Sequence, residues 1–180
     1  KKNPEQVNIS NAGVGSSSHL IAALFANAAG IKVTQIAYKG AGPALVDVIG
    51  GQVDGMFDQT NTALPQIQQK KVRAMAVTSK VRLPQLKDVP TLNETALPGF
   101  EASTWYGIYA PKGTPKAIVD KVQNAYLQVM KDKEYTGKMV TQAIQLLPEK
   151  DYLGASLALH TEAEVARWRA VAARSGLTLE

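Results

Sequence analysis

The sequence predicts an α/β protein with a mostly parallel sheet flanked by helices. Two observations support this prediction. Short apolar runs alternate with helical segments through residues 7–78, which is typical of parallel strands joined by helices. Glycine-containing turns follow the first two runs, where a chain leaves a strand and begins a helix. The 180 residues are enough for one domain or for two small lobes.

The first part of the chain predicts a regular order of strands and helices. A first helix begins within residues 16–18, where a serine cap is favourable, and ends at Gly30. Pro43 suits the first turn of a second helix that ends at Gly50. A third short helix covers residues 64–69. The predicted strands are residues 7–10, 33–37, 53–57 and 72–78.

The second part is predicted to be loop, one strand and then helices. Residues 82–99 contain three prolines and no hydrophobic period, so we expect a loop with one small helix near residues 92–95. The aromatic-rich residues 103–110 predict a strand. The remaining segments are predicted helices over 114–130, 132–142 and 149–173, with a short strand at 144–147.

Composition narrows the classes of function. The absence of cysteine excludes disulfides and thiolate metal sites and is compatible with export. No apolar run reaches membrane-spanning length, and no signal segment opens the chain, which we expect to be a processed or truncated product. The net charge of +5 comes from scattered lysines with few aromatic neighbours. This pattern disfavours nucleic-acid binding and favours attraction of small anions.

Three turns are predicted to meet at one edge of the sheet, because ligands of open α/β sheets bind outside the carboxyl ends of the strands. These turns are residues 13–18, 38–42 and 58–61. The first combines Gly13 and Gly15 with three serines at a helix start, where free N–H groups and a partial positive charge favour an anion. The sequence therefore predicts a seat for a small carboxylate.

Each candidate residue also has a purely structural interpretation. A serine-capped helix over a glycine turn needs no ligand, and His19 in its first turn can pack locally. Tyr38 can line the core, and Lys39 can be a solvated turn residue. For Asp58 we favour a role as cap of the helix that follows.

Nucleotide-dependent and hydrolytic enzymes are disfavoured. Ser18 occupies the position of the third glycine of a dinucleotide fingerprint, and Tyr38 and Lys39 stand where an acidic ribose partner is expected. No Walker lysine follows the glycines, and no Gly-x-Ser-x-Gly elbow is present. No two carboxylates and no metal-ligand set come together at the three turns. We therefore expect no catalytic residue, no metal and no cofactor.

The chain contains, in this order, the motifs NAGVGSSSHL, IAYKGAGPALVDVIGGQVDGMFD, VRAMAVTSKVRLPQLKDVPTLNE and WYGIYAPKGTP. Together they resemble the receptor family of tripartite tricarboxylate transporters, the periplasmic solute-binding proteins also called Bug proteins. The resemblance implies a type II periplasmic binding fold, in which two lobes close over a small organic anion. It also implies export to the periplasm and delivery of the ligand to membrane permease subunits. The resemblance implies that the ligand cleft is lined by Gly15, Ser16, Ser17, Ser18, Tyr38, Lys39, Gly40 and Asp58, and we predict that His19 also binds the ligand.

The chain departs from this family at its beginning. Members carry an N-terminal portion ahead of this point, with a glycine-rich turn on the opposite lobe that also holds the ligand. We therefore expect residues 1–103 to be a nearly complete second lobe, and residues 104–180 to be the return crossing and C-terminal helices of the first. Weaker ligand binding and self-association through exposed apolar faces are further expectations.

Two other classes of function remain open on the sequence. The alternative to a transport receptor is the ligand-sensing effector domain of a transcriptional regulator, which uses the same kind of fold. A signal peptide upstream would support uptake, whereas a helix-turn-helix would support regulation. An anion-processing enzyme is the third possibility, and it lacks a credible base.

Overall fold

The computed structural model describes residues 7–175. Its described residues form two compact units. Unit 1 comprises residues 7–104 and 167–175, and unit 2 comprises residues 105–166. The assignment of residues 1–103 and 104–180 to two lobes of a larger receptor stays a prediction.

Three parallel strands form the sheet of unit 1. Strand β1 (Asn8–Asn11) lies between β2 (Thr34–Ala37) and β3 (Gly55–Met56). In the register, Ile9 is opposite Gln35 of β2 and Gly55 of β3. Because all three strands run in the same direction and each is followed by a helix, their carboxyl ends share one edge. This arrangement confirms the predicted fold class.

The helices of unit 1 follow their local sequence signals. Helix α1 (Ser17–Ala29) is capped by Ser16, whose hydroxyl accepts the backbone N–H of His19. It ends at Gly30, which has a left-handed φ of 60° that favours glycine. Helices α2 (Ala41–Ile49) and α3 (Thr60–Gln68) follow β2 and β3, and α3 begins four residues earlier than predicted.

The core of unit 1 lies against the predicted apolar face of α1. Ile21 is buried together with Leu92, Phe100 and Ala102 from the loop region. Phe25 packs on the same cluster, with its ring centroid 5.3 Å from that of Phe57. The remaining partly buried members of the cluster are Leu24, Ala76, Leu97 and Trp168.

Unit 2 consists of helices with largely exposed apolar faces. Helix α4 (Lys116–Val129) and helix α5 (Lys133–Thr141) contain no buried residue. The side chain of Asp132 caps α5 by accepting the N–H groups of its first turn, as a cap residue should. The predicted long helix starts later than expected, because residues Glu149–Tyr152 form a 3-10 turn.

Helix α6 (Gly154–Arg174) contributes to both units, with residues up to 166 in unit 2 and its last turns in unit 1. Although it has 21 residues, five charged side chains interrupt its apolar positions. Across residues 7–175, no helix is both long and apolar enough to cross a membrane. The charged positions are Glu162, Glu164, Arg167, Arg169 and Arg174.

Three predicted strands do not form. Residues 72–78 make only an isolated parallel bridge, between Val77 and Thr91, and residues 103–110 and 144–147 have no strand structure. A strand is stable only when a neighbour satisfies its backbone groups, and the described chain offers these segments no neighbouring strand. Tyr106 and Ile108 consequently remain 74% and 64% exposed. The small helix expected near residues 92–95 is a turn.

Candidate functional site

The first two turns meet at the carboxyl edge of the sheet, as predicted. The backbone N–H of Tyr38 donates to the carbonyl of Asn11 at 3.0 Å, and that of Gly40 donates to the carbonyl of Ala12 at 3.1 Å. Gly13 has a φ of 129°, and a Cβ there would lie 3.3 Å from the carbonyl oxygen of Tyr38. Glycine is therefore needed at position 13 for the two turns to approach this closely.

Two of the three serines build the first turn. The hydroxyl of Ser16 donates to the carbonyl of Gly13 at 2.6 Å. The hydroxyl of Ser18 accepts the backbone N–H of Ala12 at 2.9 Å, and the two hydroxyl oxygens are 3.1 Å apart. Because these hydroxyls hold the turn itself, their substitution would disturb the site indirectly.

His19 is also part of the turn's internal network. It is only 7% exposed, and its Nδ1 accepts the backbone N–H of Gly15 at 3.1 Å. Burial lowers the pKa of His19 below its ordinary value, because the charged imidazolium loses hydration there. A nitrogen that accepts a hydrogen bond carries no proton, so this contact requires the neutral ring. Ligand contact by Gly15 or His19 stays a prediction.

The beginning of α1 keeps donors that the described chain does not use. The backbone N–H groups of Ser17 and Ser18 have no acceptor among residues 7–175, and the hydroxyl of Ser17 has no partner there. The first N–H groups of a helix have no intrahelical acceptor and carry the positive end of the helix dipole. These three donors are the part of the turn best suited to a carboxylate.

The second turn presents a cation and a fixed phenol. The hydroxyl of Tyr38 donates to Oδ2 of Asp47 in α2 at 2.6 Å, and this hydrogen bond is the main reason that the pKa of Tyr38 is raised. Lys39 is exposed and forms no ion pair with any residue that the structure describes. Gly40, with φ of 115°, stands at the N-cap position of α2. The lysine is thus available to an anion, whereas the phenol is already engaged.

Asp58 follows β3 at the same edge and is half-buried. Its Oδ1 accepts the backbone N–H of Gln59 at 2.8 Å, while its buried Oδ2 has no partner in the described chain. Burial raises the pKa of Asp58 and outweighs the lowering by Thr62 and by the Gln59 backbone. The favoured role as cap of α3 is wrong, because the N-cap residue is Gln59 and no side chain caps that helix.

Sequence reasoning missed two supporting residues. Asn11 is 1% exposed, and its Oδ1 accepts the backbone N–H of Gly13 at 3.0 Å, so it shapes the turn from inside. An Asn two residues before a Gly is a recognisable turn signal that could have indicated this role. Asp47, the partner of Tyr38, lies nine residues further along the chain and carries no such local signal.

The edge has the chemistry of an anion-binding surface. Its available groups are the donors of Ser17 and Ser18 and the ammonium of Lys39. Within the described ranges, no three His, Asp or Glu side chains lie close enough together to hold a metal ion.

A groove of about 560 Å³ lies at the opposite end of α3, so it is not part of this site. It is lined by Ile67, Lys70, Lys71, Val72, Arg73, Ala74 and Val89.

Comparisons with known proteins show the family to which this chain is similar. The family described as "Tripartite tricarboxylate transporter family receptor" matches residues 1–177. A relative from Pseudomonas sp. (strain P51), the "UPF0065 protein in tcbD-tcbE intergenic region", is 40% identical over 172 residues. That match covers 94% of this chain and 50% of the relative, so the chain spans about half the length of this curated protein.

Solved structures show the same similarity. The periplasmic binding protein BugD superposes with a TM-score of 0.91 at 36% identity, over 99% of this chain and 60% of BugD. An R. palustris protein solved with adipate gives 0.87 at 29% identity, over 98% and 58%. MatC from Rhodopseudomonas palustris, with bound malate, gives 0.85 at 33% identity, over 94% and 57%. The chain belongs to the receptor family of the tripartite tricarboxylate transporters.

Proposed function

We propose that this protein is the periplasmic solute-binding component of a tripartite tricarboxylate-type transporter. In this role it captures a small organic carboxylate in a cleft between two lobes and presents it to membrane permease subunits. The observation that carries the proposal is the set of three unused donors, the N–H groups of Ser17 and Ser18 and the hydroxyl of Ser17, at the sheet edge that also holds Lys39. Hydrogen bonds to an ionised carboxylate are about twice as strong as neutral ones.

The relatives support a dicarboxylate ligand and a binding role rather than catalysis. Adipate and malate, found with two of the similar structures, are both small dicarboxylates. The net charge of +5 favours anions, and the family is one of receptors. One carboxylate of such a ligand would bind at the start of α1, and Lys39 would attract the second.

We propose that ligand binding by this chain is weaker than binding by a complete two-lobed receptor. Each charge-assisted hydrogen bond contributes roughly 1.5–3 kcal/mol. A chain without the two or three such bonds that the opposite lobe would supply should bind the ligand much more weakly. A dissociation constant in the micromolar range, which corresponds to about 8 kcal/mol of binding free energy, would become millimolar or weaker. The binding experiment therefore needs a method that measures weak affinity.

A titration followed by ¹⁵N NMR tests the proposal on this chain. Adipate or malate should shift the backbone amide signals of Ser17 and Ser18 in a saturable manner. Ser17→Ala removes an unused hydroxyl without touching the bonds of Ser16 and Ser18, and we expect it to weaken binding by about three- to tenfold. Ser103→Ala, at an exposed serine outside the turns, is the matched control.

Two results would overturn the proposed site. One is the absence of any shift at Ser17 and Ser18 at high ligand concentration. The other is an affinity of Ser17→Ala equal to that of Ser103→Ala. The single variant is more informative than replacing all three serines, because Ser16 and Ser18 hold the turn together.

A further inference from the structure

The groove at the end of α3 carries positive charge that the described chain does not neutralise. Among the described residues that line it, three are cationic and none is acidic. All three cations are exposed, and none forms an ion pair within residues 7–175. Asp88, which precedes the lining residue Val89 in the chain, forms no ion pair in that range either. The cations are Lys70, Lys71 and Arg73.

The same groove has apolar walls. The four apolar lining residues are each half-buried, so each leaves part of its side chain open to a bound partner. A segment lying there would cover these side chains and bring its own charges beside the cations. Ion pairs that are partly shielded from water are screened less by salt than fully exposed ones. The apolar residues are Ile67, Val72, Ala74 and Val89.

The chain beside the groove also has unused backbone groups. Val77 and Thr91 form an isolated parallel bridge, and Ala74 and Val89, which precede them in the chain, line the groove. The backbone N–H and C=O groups of residues 72–76 form no hydrogen bond within the described chain. Such an unpaired edge is a template for an added strand. An extended segment can therefore form backbone hydrogen bonds here in addition to ion pairs.

Lys70 has a backbone conformation that suits glycine better. It follows Gln69, the C-cap residue of α3, and its φ of 57° lies in the left-handed region. A residue with a Cβ is strained in this conformation, so the lysine is present at a cost in stability. A residue held in such a conformation suggests a function for its side chain, which here is the charge at the groove.

We propose that this groove binds an extended acidic segment of a partner protein, which adds as a strand along residues 72–76 and places its carboxylates against the three cations. Backbone hydrogen bonds would fix the register of the segment, and the cations would select its charge. The groove lies at the opposite end of α3 from the candidate carboxylate site, so the inference does not depend on the proposed function.

A ¹⁵N NMR titration of this chain with hexaglutamate tests the proposal, with excess malate present to occupy the carboxylate site. Hexaglutamate should shift the amide signals of residues 70–74 in a saturable manner. Replacing the three groove cations together by alanine should weaken its binding about tenfold or more, because three ion pairs are lost. The matched control replaces three exposed lysines of unit 2, with the same change in net charge, and should bind within about twofold of the wild type. The control substitutions are Lys112→Ala, Lys121→Ala and Lys133→Ala.

A single variant separates binding from folding, also if the triple variant lacks a dispersed amide spectrum. Lys70→Gly relieves the left-handed strain and should raise the melting temperature by up to about 4 °C. It should weaken hexaglutamate binding by about two- to fivefold, because it removes one cation. Unchanged binding would contradict the proposal. Weaker binding together with a lower melting temperature would assign the lysine to the stability of the α3 end instead, and would also count against it.

A second peptide tests the strand pairing. N-methylated hexaglutamate keeps the charge but has no backbone N–H donors, so it should bind about tenfold more weakly than hexaglutamate. Equal binding of the two peptides would overturn strand addition.

The remaining outcomes concern the site and the partner. No shift at residues 70–74, or equal losses in the groove and control triple variants, would overturn the groove as the site. If vesicles of phosphatidylglycerol shift these amides and hexaglutamate does not, the partner is an anionic membrane surface and the proposal is wrong. The proposed function is tested separately, by malate shifts at Ser17 and Ser18.

Discussion

Units 1 and 2 use similar patterns of apolar residues but bury very different amounts of them. Every buried residue of the described chain lies in unit 1. In unit 2, the apolar face of α4 remains open, with Ile118 53% and Val122 47% exposed. The comparison shows that an amphipathic pattern predicts a helix correctly without indicating what covers its apolar side.

The polar contacts of the two units differ in the same way. In unit 1, buried side chains such as His19 and Asn11 form the network of the first turn. In unit 2, the ion pairs among the described residues are exposed, such as that of Lys116 with Asp120, and such pairs contribute little to stability. Three pairs of like residues, one from each unit, test how far this contrast extends.

The largest expected difference is between two isoleucines. Ile21→Ala should lower the free energy of unfolding of unit 1 by about 2–5 kcal/mol, because it leaves a cavity in the core cluster. Ile118→Ala removes a half-exposed side chain and should change stability by about 0.5 kcal/mol or less. Urea unfolding followed by Trp168 fluorescence in a Trp105→Phe background measures this, since Trp168 packs on the cluster. Equal losses in both variants would refute the contrast in burial.

An intermediate difference is expected between two histidines. His19→Asn keeps an acceptor near the position of Nδ1, whereas His19→Gln places it further away. We therefore expect the Gln variant to be less stable than the Asn variant by about 1 kcal/mol, the worth of the bond to Gly15. His160→Gln in unit 2, where the ring contacts Trp105 at the surface, should have a smaller effect.

The pH dependence of stability sharpens the histidine comparison. Burial lowers the pKa of His19 below its ordinary 6.5, so the neutral ring contributes stability that is present above pH 6.5 and lost as the pH falls through the folded-state pKa. Thermal unfolding of the wild type should therefore show an additional loss below that pH, which both His19 variants lack. The same additional loss in His19→Gln would show that another group is responsible.

The smallest difference is expected between two aspartates. Burial raises the pKa of Asp58, so its contribution to stability is present below the ordinary value of 3.8 and lost as the pH rises through the folded-state pKa. Asp58→Asn should consequently be more stable than the wild type at neutral pH, by less than about 1 kcal/mol because the residue is only half-buried. Asp120→Asn loses only its exposed pair with Lys116 and should show no such gain. Melting temperatures at neutral and acidic pH measure both, and a less stable Asp58→Asn at neutral pH would contradict the prediction.

The sequence by itself determined where the main helices lie, several of their ends, and that the two glycine turns share one edge of the sheet. Ser16 and Gly30 set the ends of α1, and Asp132 set the start of α5, through contacts within four residues along the chain. Such caps depend on local geometry, so they can be read without knowing the rest of the fold. The two glycine turns could likewise be placed at one edge, because parallel strands bring their carboxyl ends together.

Only the tertiary structure decided which groups at that edge are available. Ser16, Ser18 and His19 are engaged within the turn, and Tyr38 is engaged by Asp47, so serines that look equivalent in the sequence differ in whether their hydroxyls are already hydrogen-bonded. The tertiary structure also decided that residues 72–78 and 103–110 form no strand, since an apolar run pairs only if a neighbour is present. Which donors and acceptors remain free, and which strands pair, both depend on groups that are distant in sequence. A local sequence pattern therefore does not predict them.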